Sequence, residues 1–497
     1  MNDPAALFHD FDFWRSHGVL AAVSGGGDSL ALLLLLHDHL KTLHPSPPLY
    51  AATVDHGLRT GSAAEAQTVS ELCGKLGLAH VTLRWNRSEG GRATPQAARD
   101  ARYRLLAEAA QRFGVHAIAT GHTRDDQAET VAMRLERGTG RGAAGMATIS
   151  SFDEGRLWIA RPLLGVTRQA LRAELRRLGV DWIDDPTNEN PAQERVRVRN
   201  ALATAPERAQ ALLARANKAS ATRESEALQA AALLHASAVF APPFGVRLDL
   251  AKLEAADKPI RLLLLAALVA VIGGLEHLPA QERVASVWER ISGSVADAKR
   301  AVRASLGRCT LTVSRRTLSV RREARNLPSP VDPHKAFGIW DGRYSLGIVA
   351  GEPLSIPCGF VIAPLDAKGF AILRSLPGGK EKAQVWRDLA CEPFLWRNGV
   401  PVAPLAAPQE CEGKPAPSHL GGTGPCRLTV RRRLAPFAQF ASGYDLALVD
   451  ALAALFETQR LDRATMPAGE EILARIGAGG STGLGSNGVD TYVTNSS

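Results

Sequence analysis

Ser24-Gly25-Gly26-Gly27-Asp28-Ser29 stands between a short β-prone run, Gly18 to Val23, and a leucine-rich helical pattern, Ser29 to Leu40. Three successive glycines put no side chains in the way, so several backbone N–H groups can turn toward one anion at the positive end of the helix. Phosphate is the natural guest. The two hydroxyls add donors, and Asp28, repelled by phosphate on its own, makes sense if it reaches a Mg²⁺ that bridges the phosphates. The loop is too short for G-x-x-x-x-G-K-[ST] and lacks its Lys, and it is not G-x-G-x-x-G. An ordinary Gly-rich turn with a Ser cap is the plain alternative, and the surrounding chain weakens it.

Outward from the loop, short apolar runs alternate with longer helical patterns. Leu49 to Val54, His80 to Leu83 and Ala117 to Thr120 read as strands; Ser62 to Leu76, a segment opening near Pro95, Asp125 to Glu136 and Thr167 to Leu178 read as helices. That rhythm predicts an α/β fold, a doubly wound parallel sheet occupying residues 1–200. After Asp184-Asp185-Pro186 the chain turns to Ala, Leu, Arg and Glu at helical spacing, predicting a helical domain over 201–305. Alternating Leu-Thr-Val-Ser-Arg-Arg patterns with many Pro and Gly breaks predict a smaller β-rich C-terminal domain over 306–445. Residues 446–497 read as a last helix, Leu446 to Leu461, packed on that domain, and a disordered tail from Gly477.

The 497 residues suit about three domains. Against 50 Asp and Glu stand 59 Lys and Arg, a net charge of +9, and most of the cations are Arg. Arg forks grip phosphate, so a nucleotide or nucleic-acid partner is favoured, although a genome rich in Arg codons gives the same excess. With 45% hydrophobic and 22% charged residues the chain is neither wholly disordered nor a fibrous rod. Six cysteines occur singly with no C-x-x-C, which argues against a zinc ribbon, an iron–sulfur site or a disulfide framework and suits a reducing cytoplasm. The first residues show no secretory leader. The apolar runs Leu30 to Leu36 and Leu262 to Leu275 fall short of the roughly 18 residues of a membrane span and read as buried helices.

Asp55 and His56 lie just past the end of a predicted strand, where open α/β sheets bind ligands and where ordinary loops also run. Asp125, Asp126 and Glu129 put three carboxylates near one helix start, as dipole partners or as partners of a cationic substrate. Arg99 and Arg102 are either a solvated helix face or phosphate contacts. Arg195, Arg197 and Arg199 recur every second residue and, if extended, could follow a phosphate backbone; a helix would spread them. His122 lacks nearby Cys or His partners, so it reads as a hydrogen-bonding rather than a metal-binding group. Arg315, Arg316, Arg321, Arg322 and Arg325, with Arg431, Arg432 and Arg433, form a basic β surface for nucleic acid or blunt an exposed sheet edge.

The loop resembles the S-G-G-x-D-S loop of the N-type ATP pyrophosphatases, the PP-loop family. Five further blocks match the tRNA(Ile)-lysidine synthetase family in order: Val54-Asp55-His56-Gly57-Leu58-Arg59, Ala98 to Tyr103, Gly121 to Thr130, Arg161-Pro162-Leu163-Leu164, and Asp185-Pro186-Thr187-Asn188 with Arg195 and Arg199 beyond. The resemblance covers roughly residues 15 to 200 and implies an adenine nucleotide alpha hydrolase-like fold. It implies that Ser24, Gly25, Gly26, Gly27, Asp28 and Ser29, with Asp55, His56 and His122, bind ATP, and that Asp28 holds Mg²⁺. It further implies catalytic roles for Asp28, Asp125, Asp126 and Glu129, and contacts of Arg99, Arg102, Arg195 and Arg199 with tRNA or lysine. The implied partners are tRNA(Ile) with a CAU anticodon and free L-lysine, with no membrane; monomer and homodimer both stay open. The implied reaction adenylates the first anticodon cytidine and then joins lysine to its carbon 2. A tRNA-thiolating enzyme of the same fold is the rival, weakened by the missing paired cysteines, and a non-catalytic nucleotide- or RNA-binding module is the other.

Overall fold

The computed structural model describes residues 5–8, 11, 17–57, 61–85, 94–138, 140–184, 190–241, 244–292, 301–333, 338–348, 359–377, 379–380, 383–405 and 428–458. Leu58, Arg59, the Asp185-Pro186-Thr187-Asn188 block, residues 459–461 of the expected last helix and the tail after Gly477 lie outside them.

The N-terminal region alternates β1 (Val19–Ala22), α1 (Gly27–Thr42), β2 (Leu49–Asp55), α2 (Ser62–Lys75), β3 (Ala79–Arg84), α3 (Pro95–Phe113), β4 (Ala117–Thr120), α4 (Arg124–Glu136), the hairpin β5 (Ile149–Phe152) and β6 (Leu157–Ala160), and α5 (Arg168–Arg177). Strands β3, β2, β1, β4 and β6 pair in that order and are parallel throughout. The chain builds outward from β1 in one direction and restarts at β4 in the other, so the crevice above β1 and β4 is the topological switch point, where such sheets bind ligands. Residues Leu30 to Leu36 are all buried because α1 is covered by the sheet on one side and α5 on another. A helix apolar all round belongs in such a place.

The sheet is not purely parallel. β5 runs antiparallel to β6, and β18 (Phe440–Ser442), nearly 300 residues later in the chain, adds antiparallel to β5. Arg161 explains why the apolar segment ahead of it folds into a hairpin: the buried guanidinium donates to Ala147 O at 2.7 Å and Ser150 Oγ at 3.0 Å, and lies over the Phe440 ring.

After α6 (Glu194–Ala203), the 32-residue α7 (Pro206–Ser237) is the spine of the molecule. Arg223 and Glu226 on α7 close a network with Arg141 of the N-terminal region and the buried Asp445 far along the chain. The region expected to be helical continues with β7 (Ala238–Ala241), β8 (Gly245–Asp249), α8 (Leu250–Ala255), α9 (Lys258–Gly273) and α10 (Gln281–Ser292). β7 and β8 join β9 (Val302–Leu306), β10 (Cys309–Ser314) and β11 (Thr317–Arg322) in one antiparallel sheet, and β9 straddles the expected cut at 305. Two three-stranded sheets follow, β12 (Gly338–Trp340), β13 (Tyr344–Ile348) and β17 (Leu428–Arg432), and β14 (Phe360–Pro364), β15 (Pro393–Arg397) and β16 (Val400–Pro404). The last helix, Leu446–Leu455, packs against α7 rather than on those sheets. Among the described residues no helix is long and apolar enough to cross a membrane.

Several arginines of the expected basic β surface are spent inside the protein. Arg322, with Arg308 and Arg343, surrounds the fully buried Asp341. Arg433 donates to Glu154 Oε1 at 2.8 Å. Arg432 lies 3.7 Å from the Phe244 ring centre and within 6 Å of those of Phe240 and Phe456, so its cation is held by aromatic faces. Arg315 and Arg316 remain exposed at the β10–β11 turn. Arg432→Ala is expected to destabilise the protein by about 2–4 kcal/mol, seen as a lower denaturant midpoint, with the salt dependence of nucleic-acid binding unchanged. A fully stable variant with a shallower salt slope would return Arg432 to a nucleic-acid surface.

Candidate active site

The loop after β1 is shaped by three local constraints. Gly25 adopts φ 84°, and a Cβ there would lie 3.0 Å from Ile183 Cδ1. Ser29 Oγ donates to Gly26 O at 2.9 Å and accepts from the Ser24 N–H at 3.1 Å, so the serines brace the bend as well as lining it. Gly121, at the end of β4, lets that strand approach the first turn of α1; a Cβ would sit 2.9 Å from Asp28 O and 3.0 Å from Ser29 Cα. The start of α1 is thereby fixed at the switch point with its unpaired N–H groups toward the cleft side of the sheet.

Beside the loop, three carboxylates and three guanidinium groups form one connected set. Thr123 and Asp126 make a capping box at the start of α4: Asp126 Oδ2 accepts from the Thr123 N–H at 2.8 Å and its hydroxyl at 2.9 Å. The other oxygen, Oδ1, accepts from Arg168 Nη2 at 3.0 Å and Arg195 Nη2 at 2.9 Å. Burial alone would raise the Asp126 pKa, but Arg195, Arg168 and the Thr123 N–H hold it below the usual carboxylate range. Glu129, buried one turn on, accepts from Arg195 Nε at 2.7 Å and Arg199 Nε at 2.8 Å, with Arg168 Nη1 at 3.5 Å. Asp28 Oδ2 accepts from Arg168 Nε at 3.1 Å. Each nitrogen of the Arg168 fork thus faces a different carboxylate. Burial leaves the Asp28 pKa raised despite that partner, and Asp28 Oδ1 is buried without a hydrogen-bond partner.

Asp28, Asp126, Arg168, Arg195 and Arg199 line a cleft of about 730 Å³. Of the residues expected in the site, Ser24, Gly26, Gly27, Asp28, Ser29, Arg102, His122, Asp126, Arg195 and Arg199 line it. Gly25, Asp55, His56, Arg99, Asp125 and Glu129 are not in its lining. Asp55 Oδ1 caps the following turn by accepting from the Gly57 N–H at 2.8 Å, and His56 stands edge-on to Trp85. Burial and the nearby Arg102 both lower the His56 pKa. Asp125 Oδ2 accepts from the Arg168 backbone N–H at 2.8 Å and so anchors α5, while Arg99 lies over the Tyr103 ring. His122 Nδ1 is 2.9 Å from Thr120 Oγ1, and burial, then Arg161 and Arg102, hold its pKa far below the usual value, leaving a neutral ring.

The extended reading of Arg195, Arg197 and Arg199 is corrected: they lie on α6. Arg195 and Arg199, four apart, share the face toward Glu129, whereas Arg197 donates to Pro191 O and Ala192 O. Sequence reasoning missed Arg168 and Arg172, which also line the cleft. The signal for Arg168 was electrostatic. A cation in the first turn of a helix opposes the helix dipole and calls for acidic partners elsewhere. Cys73 is buried in α2, outside the cleft lining, and burial pushes its thiol up to about 11.

Residues 5–205 match the PP-loop domain model. The chain is 41% identical to the tRNA(Ile)-lysidine synthase of Mesorhizobium japonicum over 90% of this chain and 94% of that protein. It is 35% identical to the Brucella melitensis protein of the same name over 91% of this chain and 97% of that one. Among solved structures, a U34-tRNA thiolase from Methanococcus maripaludis aligns with 40% of this chain and 71% of its own, at 18% identity and a TM-score of 0.35.

Gly121→Ala is expected to push the first turn of α1 off β4 and weaken ATP binding by about 10-fold, or about 1.4 kcal/mol, measured by calorimetry. Unchanged affinity would mean that this close approach does not set the loop.

Proposed function

The chain belongs to the tRNA(Ile)-lysidine synthase family, and we propose that it uses ATP to join free lysine to carbon 2 of the first anticodon cytidine of tRNA(Ile) carrying CAU. The observation that carries this reading is the meeting, in one cleft, of a phosphate-type glycine loop and a carboxylate set able to receive ammonium groups.

In the first step the triphosphate lies against the loop amides, and the cytidine oxygen on carbon 2 attacks the α-phosphorus. The P–O bond to pyrophosphate breaks and an adenylated base remains. The amides at Gly26 to Asp28, aimed before the reaction begins, stabilise the charge on the departing pyrophosphate. Arg102 and Arg172 line the same cleft and can pair with phosphate oxygens. The buried, partnerless Asp28 Oδ1 fits Mg²⁺, which is commonly held by one or two carboxylates together with phosphates and water. Bound there, Mg²⁺ would neutralise charge on the triphosphate.

In the second step the neutral ε-amine of lysine attacks carbon 2, and AMP leaves with the former base oxygen. Asp126, held ionised by its arginine partners, is placed to pair with a lysine ammonium. Glu129 and Asp125 act one layer back, Glu129 by holding Arg195 and Arg199 and Asp125 by fixing the start of α5. His122, uncharged, donates or accepts a hydrogen bond without adding charge beside the phosphates. No covalent link to the protein is required, so positioning and electrostatics carry the rate.

A sulfur-transfer chemistry has no thiol to use in this cleft among the described residues, Cys73 being buried in α2 outside its lining. The expected result with ATP, tRNA and lysine is release of AMP that depends on lysine, with Asp28→Asn lowering the rate by about 10²–10³-fold. AMP formation that ignores lysine, or an Asp28→Asn enzyme at the wild-type rate, would defeat the assignment.

A further inference from the structure

We propose that Arg168 is a positioning residue that changes partners during the cycle: it covers the carboxylate set in the ligand-free cleft and moves onto the triphosphate when ATP binds. Nucleotide binding thereby uncovers the carboxylates for the lysine ammonium. This deepens the lysidine-forming reading and rests on it.

The charge count points to an exchange. Asp28, Asp126 and Glu129 carry three negative charges, and Arg168, Arg195 and Arg199 carry three positive ones. A set already balanced has no room for a further desolvated ammonium unless a guanidinium leaves. The glycine loop beside Asp28 supplies the destination, because a triphosphate bound there brings several negative charges next to the Arg168 side chain. That side chain lines the cleft, and its position at the positive start of α5 favours a move toward an anion.

The hydrogen bonds say which arginine can go. Glu129 keeps both Arg195 and Arg199 if Arg168 departs, and the Arg168 contact with it is the longest of the three at 3.5 Å. Asp126 keeps Arg195 and its capping bonds from Thr123. Asp28 loses its one guanidinium and is freed for the Mg²⁺ that would come with the triphosphate, and Asp126 is the cleft carboxylate uncovered for the ammonium. Losing Arg195 instead would take from Glu129 its shortest contact, at 2.7 Å, and would leave Asp28 still covered by Arg168. The Arg168 backbone stays fixed, since its N–H is held by Asp125 and Thr167 caps the helix, so the motion is confined to one side chain.

The consequence is positive coupling between ATP and lysine that passes through one residue. Calorimetry of lysine binding to the full chain with tRNA present, with and without a non-hydrolysable ATP analogue, reads it directly. Wild type is expected to bind lysine at least 10-fold more tightly with the analogue. Arg168→Met is expected to bind lysine equally well in both conditions, more tightly than nucleotide-free wild type, and to lose ATP affinity. Arg168→Lys, which keeps the charge but cannot span three carboxylates, is expected to retain only part of the coupling, and it guards against a misfolded Met variant. Wild-type coupling that persists undiminished in both variants overturns the role of Arg168 while leaving the lysine reading intact. Wild-type protein that binds the analogue but binds no lysine in either condition overturns both.

Discussion

Three acidic side chains crowded at the mouth of a parallel sheet require cations to be brought to them. An uncompensated buried charge costs several kcal/mol, and Asp28, Asp126 and Glu129 are all largely removed from water. The cations come from two separate elements, Arg168 at the start of α5 and Arg195 and Arg199 on α6. This pairing fixes where the chain goes after β6. It draws α5 toward the glycine loop, where Ile183 N–H bonds Gly25 O, and it lays α6 across α4. The cleft walls are therefore a consequence of charge compensation as much as of apolar packing.

The same compensation shapes the chemistry. Carboxylates held ionised by guanidinium groups are good partners for ammonium groups, and guanidinium groups in an exposed cleft are good partners for phosphates. A site that holds both in balance can accept an anion and a cation together more readily than either alone. A nucleotide and an amino acid are such a pair, and the glycine loop, free of side chains, places the nucleotide at the one point where both halves of the set are within reach.

The part of the fold legible in the sequence is the part governed by local patterns. Helical runs of about three to five turns alternating with β-prone runs located β1 to β4, α1 to α5 and the loop, because glycine placement and apolar spacing are local properties. The rest depended on partners distant in the chain. Arg-Val-Arg-Val-Arg from Arg195 to Arg199 has the spacing of a strand, yet Glu129 requires two cations four residues apart, and the segment is helical. The four- and five-residue strands β7 and β8 are too short to show a period beside a 32-residue helix. β18 joins a sheet begun some 400 residues earlier, and Arg432 is occupied by rings from Phe240, Phe244 and Phe456 that no local pattern connects. In the site, the loop and the carboxylates Asp125, Asp126 and Glu129 were picked out in the sequence; Asp126 lies in the cleft lining, Asp125 and Glu129 lie against Arg168, Arg195 and Arg199, and Arg168 went unseen.

The most direct test of the central claim is to incubate the protein with ATP, radiolabelled lysine and total bacterial tRNA, treat the RNA with mild alkali, digest it and identify the labelled nucleoside. The account predicts label on a single modified cytidine that survives the alkali, because lysine is joined through a carbon–nitrogen bond. Label lost on mild alkali, as from an ester at the 3′ end, or no label in RNA at all, would contradict it.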